Sequence, residues 1–248
     1  MGNSFPTGST VTCVARTPSN LDLFVVGNNV GVYSAYWQDG IPWSGWFRIG
    51  FREFLVVHFK SLLPLTSEID TFINTEYEAL AQLFAQFEIR VFRGTTEDLS
   101  ADASLAHLVD LDIDESLFGG PSDEQDELYL SRNNAAADDL VIYIVRSLQG
   151  HGGDAVGSAN HPDGKPGAAI VPTVAVFGIG SPAWILAHEV GHVLGLGHVS
   201  DTPSTNSRFL MWPNILWTDL PPDLSTREVS TMLESGLTRA CSPDRSGW

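Results

Sequence analysis

The chain has 248 residues, enough for one large domain or for a medium-sized domain with a small module attached. Its 43% hydrophobic and 10% aromatic residues predict a packed core. Its 13 basic and 30 acidic residues give a net charge of -17, which excludes a nucleic-acid partner held by clustered Lys and Arg. No apolar run reaches the roughly 18 residues of a membrane span, so no transmembrane segment is predicted.

The N-terminal sequence MGNSFPTGSTVTC has neither a basic n-region nor an apolar h-region, so it predicts no secretory signal peptide. Cys13 and Cys241 lie near opposite ends of the chain. Two thiols are too few for a disulfide framework or a thiolate zinc site. They are predicted to be unpaired and partly buried, and a single bridge between them is the alternative.

Residues 1–50 are rich in β-forming residues, Gly and Trp, and they predict a small antiparallel β module. Four short strands are separated by turn residues, at 11–16, 21–27, 30–37 and 46–50. The pattern LDLFVVGNNVGVYSAYW followed by WSGWFRIG resembles one blade of tectonin-like or bacterial fucose-lectin β-propellers. A propeller needs several blades and only one copy is present, so the module is expected to pack on a neighbour or to belong to a longer protein.

The blade resemblance implies a glycan contact through Trp37, Trp43 and Trp46, whose rings could stack on a sugar. The alternative is that these rings simply pack inside the module, which is the more common role of such rings in a single blade.

Residues 51–248 predict a second domain in which strands and helices alternate. Apolar residues recur at helical period over 66–87, with Thr66 or Ser67 as N-cap. Strands are predicted at 51–63, 88–94, 139–148 and 168–179, and a C-terminal helix at 225–240. Residues 95–138 predict loops with one short helix or strand, and 150–167 predict a Gly-rich surface loop. The fold class is therefore α/β (α+β), a twisted mixed sheet with long helices, plus the small N-terminal module.

The segment SPAWILAHEVGHVLGLGH, residues 181–198, carries the chemistry. Ser181 and Pro182 predict the start of a helix, and Gly195 predicts its end. His188 and His192 are four residues apart, so both imidazoles lie on one helix face and can hold one Zn²⁺ ion.

A third ligand is needed, and the turn at Gly195 brings His198 back to the metal. Glu189 then lies near the open coordination position, where it can deprotonate a zinc-bound water and pass the proton to the leaving amine. By this composition HExxHxxGxxH arises by chance about 3 times in 10⁵, so ordinary core histidines are a poor alternative. A structural zinc site is also disfavoured, because such sites have four protein ligands and are rich in Cys.

This motif resembles that of the metzincin clan of zinc metallopeptidases, which adds a methionine-containing turn downstream. RFLMWPN, residues 208–214, contains Met211, and the resemblance implies that Met211 forms an apolar floor beneath the metal without binding it. Core gap filling by Met211 is the alternative. The resemblance also implies an extracellular location.

Two departures prevent assignment to a subfamily. Val199 follows the third ligand where matrixin-like members carry Ser, and Pro213 occupies the place of the metal-facing Tyr of astacin- and serralysin-like members. Transition-state stabilisation must then come from another group. Four further histidines are interpreted as bystanders, namely His58, His107, His151 and His161.

The sequence thus predicts a zinc-dependent endopeptidase that uses one catalytic Zn²⁺ ion and acts on a protein or peptide substrate. The alternative is a non-catalytic glycan- or surface-binding protein on a zinc-containing scaffold. A zinc hydrolase acting on a non-peptide bond is the third possibility.

Overall fold

The computed structural model describes residues 7–26, 32–40, 42–44, 46–49, 51–114, 120–150, 155–172, 184–200, 206–213 and 221–240. The chain divides into two compact units, one of Met1–Glu53 with Ala240–Trp248 and one of Phe54–Arg239. No helix in the described ranges is long and apolar enough to cross a membrane.

The first unit contains the predicted antiparallel meander. Its strands are β1 (Val11–Thr17), β2 (Asn20–Val26), β3 (Val32–Gln38) and β4 (Phe47–Ile49). They pair in the order β1-β2-β3-β4, each antiparallel to the next. Cys13 on β1 is a free, exposed thiol, and Cys241 lies outside the described residues.

Among the described residues of the second unit, the strands form a mixed sheet of six strands and a two-stranded sheet. The strands of the two sheets are β5 (Glu53–Ser61), β6 (Ile89–Asp98), β7 (Asp110–Asp112), β8 (Leu140–Ile144), β9 (Ser147–Gln149), β10 (Gly157–Ser158), β11 (Gly167–Ile170) and β12 (Arg239–Ala240). The larger sheet has the order β10-β11-β8-β5-β12, with β6 also paired to β5. β5, β8 and β11 are mutually parallel, whereas β10 runs antiparallel to β11 at one end of the described sheet. The predicted mixed α+β fold is confirmed.

Strand β8 is buried on both faces of the sheet, as its continuous apolar run predicts. Leu140, Ile142 and Ile144 join a core shared with the long helix α1 (Ser67–Ala85), while Val141 and Tyr143 join a second core on the other face. Helix α1 is capped at Thr66, whose hydroxyl accepts the N–H of Ile69 at 3.4 Å, as the sequence predicts.

The segment predicted as one strand over 139–148 is divided in two. After β8 the chain leaves the central sheet, and β9 pairs in parallel with β7. Arg146 and Ser147 both bond to the carboxylate of Asp110 on β7, which holds the chain in this direction. The apolar residues of 139–148 alone cannot show that its two halves pair with different strands.

The region 95–138 contains more regular structure than predicted. Strand β6 continues to Asp98, a 3-10 helix covers Ala106–Val109, and helix α2 covers Asp123–Leu128. Helix α2 begins with a capping box between Ser122 and Gln125, and this Ser-x-x-Gln spacing is visible in the sequence.

The C-terminal helix, α4, covers Thr226–Glu234 and is shorter than the predicted 225–240. Ser225 is its N-cap, and Gly236, with a φ of +77°, directs the chain out of the helix. The first part of the last predicted strand, 168–179, forms β11, which covers Gly167–Ile170. Residues 173–179 lie outside the described residues.

Candidate metal centre

Helix α3 (Ile185–Val193) carries the HExxH residues and begins later than predicted. Trp184 is its N-cap residue, while Ser181 and Pro182 lie outside the described residues. Its end is as predicted, because Gly195 adopts a φ of +90° just after the helix.

Two backbone hydrogen bonds close the end of α3. Gly195 N–H donates to the carbonyl of His192 at 2.8 Å, and Leu196 N–H donates to that of Gly191 at 3.0 Å. This pair of bonds is a Schellman motif, and it turns the chain sharply toward His198.

The three predicted ligands converge on one point. The Nε2 atoms of His188 and His192 are 3.1 Å apart, those of His192 and His198 are 3.0 Å apart, and those of His188 and His198 are 3.2 Å apart. Zn–N bonds of about 2.0–2.1 Å in a tetrahedron place neighbouring ligand atoms about 3.3–3.4 Å apart. The three nitrogens therefore have nearly the spacing that a single zinc ion requires.

Backbone carbonyls fix the orientation of two of the rings. The Nδ1 atom of His188 lies 2.7 Å from the carbonyl oxygen of Leu210, and that of His192 lies 2.8 Å from the carbonyl oxygen of Leu196. A carbonyl only accepts hydrogen bonds, so Nδ1 carries the proton in both rings and Nε2 presents a lone pair.

Lone pairs facing one another at about 3 Å repel, and a bound cation turns this arrangement into a favourable one. Burial lowers the pKa of His188 to about 3, and it also lowers the pKa of His192 and of His198. Neighbouring histidines lower the first two pKa values further. The imidazoles are thus neutral at pH 7, the form that zinc binds.

Met211 lies directly beneath the ligand helix and is fully buried. A Cβ atom built on Gly191, which lies between His188 and His192 in the helix, would be 2.6 Å from the sulfur of Met211. The carbonyl of Met211 accepts the N–H of Val199 at 2.9 Å, next to the third ligand. The segment around Met211 therefore contacts the helix, the loop after it and, through the Leu210 carbonyl, the ring of His188.

The contact between Gly191 and Met211 predicts that Gly191→Ala changes the free energy of unfolding in opposite directions with and without the Met211 side chain. Gly191→Ala adds helix propensity worth about 1 kcal/mol but overpacks the contact with Met211 by about 1–3 kcal/mol. We expect the substitution to lower the free energy of unfolding in the native background and to raise it beside Met211→Ala. Denaturant unfolding of the two single variants and the double variant measures this coupling. A cost that is the same in both backgrounds would show that the two residues are not in contact.

Glu189 is buried beside the three imidazoles, and burial raises its pKa to about 8. Its carboxylate approaches Gly157 on β10, where an added Cβ atom would overlap it. The candidate base is therefore held between α3 and the strand at the end of the described sheet. Nothing in the sequence around Gly157 predicts this contact, since it lies 32 residues earlier in a Gly-rich loop.

A cleft of about 450 Å³ adjoins His198. The loop around His198 and helix α4 form its walls, and Leu196, Val199 and Phe209 give it apolar surface. Arg227 and Glu228 from α4 add charged groups of opposite sign. The cleft could accommodate a side chain of a bound molecule beside the three imidazoles.

The remaining histidines in the described ranges lie outside this centre. His107 is exposed and contacts Glu127 at 3.2 Å, and His161 contacts the neighbouring carbonyl of Pro162. His151 lies outside the described residues.

His58 belongs to a buried polar group that the sequence did not reveal. Its Nδ1 accepts the N–H of Thr95 at 3.0 Å, and its Nε2 lies 3.1 Å from Asp139. Lys60, two residues further along β5, binds Glu97 at 2.7 Å. The sequence signal for this group is the alternation of His58 and Lys60 with apolar residues along β5.

The three tryptophans of the N-terminal module differ in exposure. The side chain of Trp43 is 49% exposed, whereas Trp37 and Trp46 are partly buried.

No protein-family model and no curated protein sequence matches the chain. Among solved structures, the chain is similar to metalloproteinase-II from Bacteroides fragilis, with 15% identity, a TM-score of 0.46, and coverage of 93% of this chain and 80% of that one. It is also similar to archaemetzincin from Methanopyrus kandleri, with 16% identity, a TM-score of 0.44, and coverage of 73% of this chain and 94% of that one. Both similarities are weak, so the function proposed below rests on the residues of this chain.

Proposed function

We propose that the chain is a zinc-dependent endopeptidase. His188, His192 and His198 are the ligands of one catalytic zinc ion, and Glu189 is the general base. The observation that carries this proposal is the convergence of three neutral imidazole nitrogens with a buried carboxylate beside them. Only three protein ligands gather among the described residues, which leaves a position for chemistry.

Zinc at this position would supply a Lewis acid that acidifies a water molecule and polarises the scissile carbonyl. A neighbouring cation would lower the raised pKa of Glu189, and the resulting carboxylate would accept a proton from the attacking water and deliver it to the leaving nitrogen as the C–N bond breaks. Its contact with Gly157 limits where the carboxylate can move. The hydrogen bond from His188 to the Leu210 carbonyl keeps that ring in place during turnover.

We further propose that residues 51–248 form a metzincin-like catalytic domain and that residues 1–50 form a module resembling one propeller blade. The buried position of Met211 under Gly191 supports the floor expected of a metzincin-like turn. Pro213 follows two residues later, so no Tyr is available there to stabilise the transition state.

The substrate is proposed to bind in extended form along β10. This short strand ends the described sheet, and its Gly157 touches the candidate base. A peptide added beside such an edge gains main-chain hydrogen bonds and lies next to the catalytic groups. A side chain of that peptide could occupy the cleft beside His198.

The function is tested by metal removal. A zinc chelator is expected to abolish cleavage of casein by the full chain, and added Zn²⁺ is expected to restore it, because catalysis depends on the three-histidine site. A chain that binds a glycan array but leaves casein and gelatin intact would instead support the non-catalytic alternative. Zinc-dependent hydrolysis that a peptide hydroxamate fails to inhibit would favour a non-peptide substrate.

A further inference from the structure

One charged residue interrupts the buried apolar face of α1. Seven residues of this helix are buried; six are apolar and the seventh is Glu76, which is 1% exposed. Ile73 and Leu80, on either side of it along the same face, belong to the main core. A carboxylate in such surroundings is costly unless a hydrogen-bonded partner compensates its charge.

The first turn of helix α3 supplies a compensating partner. The N–H of Leu186 on α3 donates to Oε2 of Glu76 at 3.0 Å, across 110 residues of sequence. N–H groups in the first turn of a helix lack partners within the helix and are usually satisfied by the N-cap side chain. At α3 the N-cap is Trp184, whose side chain makes no capping hydrogen bond.

The charge of Glu76 also suits the end of the helix that it meets. The N-terminus of a helix carries a partial positive charge, which a carboxylate stabilises. Glu76 thus supplies from α1 a cap that the side chain of Trp184 does not supply. Leu186, which it holds, precedes the first ligand by two residues.

We propose that Glu76 is a positioning residue that fixes helix α3 so that His188 and Glu189 meet His198. Helix α3 must be held in place because His198 lies beyond its end, on a loop that Met211 holds through the N–H of Val199. A small shift of α3 along its axis would move two of the three ligand nitrogens relative to the third. Only the activity part of this inference rests on the proposed peptidase function; the metal-binding part does not.

The test compares Glu76→Leu, which removes the cap but keeps the site apolar, with Glu76→Gln, whose amide oxygen can still accept from Leu186. Glu78→Gln on the exposed side of α1 is the matched control. The dissociation constant for zinc is measured by competition with a chelating dye. The unfolding temperature of the zinc-free protein and the separate values of kcat and KM for a peptide are also measured.

We expect Glu76→Leu to raise the zinc dissociation constant about tenfold and to lower kcat by a similar factor, with KM changed less than about twofold. Glu76→Gln is expected to raise the zinc dissociation constant about threefold, since the hydrogen bond remains and the charge is lost. The unfolding temperature of the zinc-free Leu variant is expected to fall by several degrees, because the buried N–H of Leu186 loses its acceptor.

The inference is overturned if both variants bind zinc as tightly as the native chain, whatever their unfolding temperatures. If the Leu variant does not fold, the Gln variant decides, and an unchanged zinc dissociation constant again overturns the inference. A native chain that binds zinc but cleaves no peptide would remove the proposed peptidase function, and the zinc measurements would still decide the role of Glu76.

Discussion

Glu189→Gln is expected to lower kcat for peptide cleavage by about a thousandfold while one zinc ion stays bound per chain. The amide cannot accept the proton of the attacking water, and a positioned general base contributes roughly 10²–10⁴ to the rate. The three ligand nitrogens are unchanged in this variant, and the Gln side chain has nearly the volume of Glu. It therefore fits the space between α3 and Gly157.

Single-turnover and steady-state cleavage of a fluorogenic peptide measure the rate, and elemental analysis measures the zinc. Glu234→Gln, at the exposed end of α4, is the control and should cleave at the native rate. Cleavage by Glu189→Gln within a few fold of the native rate would exclude Glu189 as the base. Loss of zinc from this variant would show that the carboxylate is needed to hold the metal.

His192→Ala is expected to release the zinc ion and, with it, all measurable activity. Two imidazoles remain, and the tetrahedral site loses one of its three protein ligands. We expect the zinc dissociation constant to rise at least about a thousandfold, since much of the affinity comes from ligands held in place before binding. The zinc-dependent gain in unfolding temperature should disappear as well.

His107→Ala is a suitable control, because His107 is exposed and its contact is with an exposed Glu127. It should keep both the zinc affinity and the zinc-dependent gain in stability. Native zinc affinity in His192→Ala would mean that the metal is bound elsewhere in the chain.

The sequence predicted the local parts of the site because they depend on residues close together in the chain. Helical spacing puts His188 and His192 on one face, and Gly195 produces the predicted turn after the helix. The three imidazoles gather as the motif implies. The strands of the N-terminal module and the long helix α1 were also predicted, because their apolar periods are regular.

The contacts that surround the ligands could not be predicted in the same way. Glu76 and Gly157 meet the ligand helix across many residues of sequence, and no local pattern marks either partner. The Leu210 carbonyl acts through its backbone, so its residue type carries no signal. The Gly191 contact was accessible in principle, since a glycine between two ligands of a helix suggests close approach by another segment.

The hydrogen bonds around Met211 have a consequence for the order in which the protein is made. The ring of His188 is oriented by the carbonyl of Leu210, and the N–H of Leu210 is in turn held by the carbonyl of Asp223. A growing chain that has just exposed its three histidines therefore still lacks the segment that aligns them. If the three histidines bind zinc as proposed, tight metal capture is expected only after synthesis has passed Asp223, whose carbonyl holds Leu210 in place.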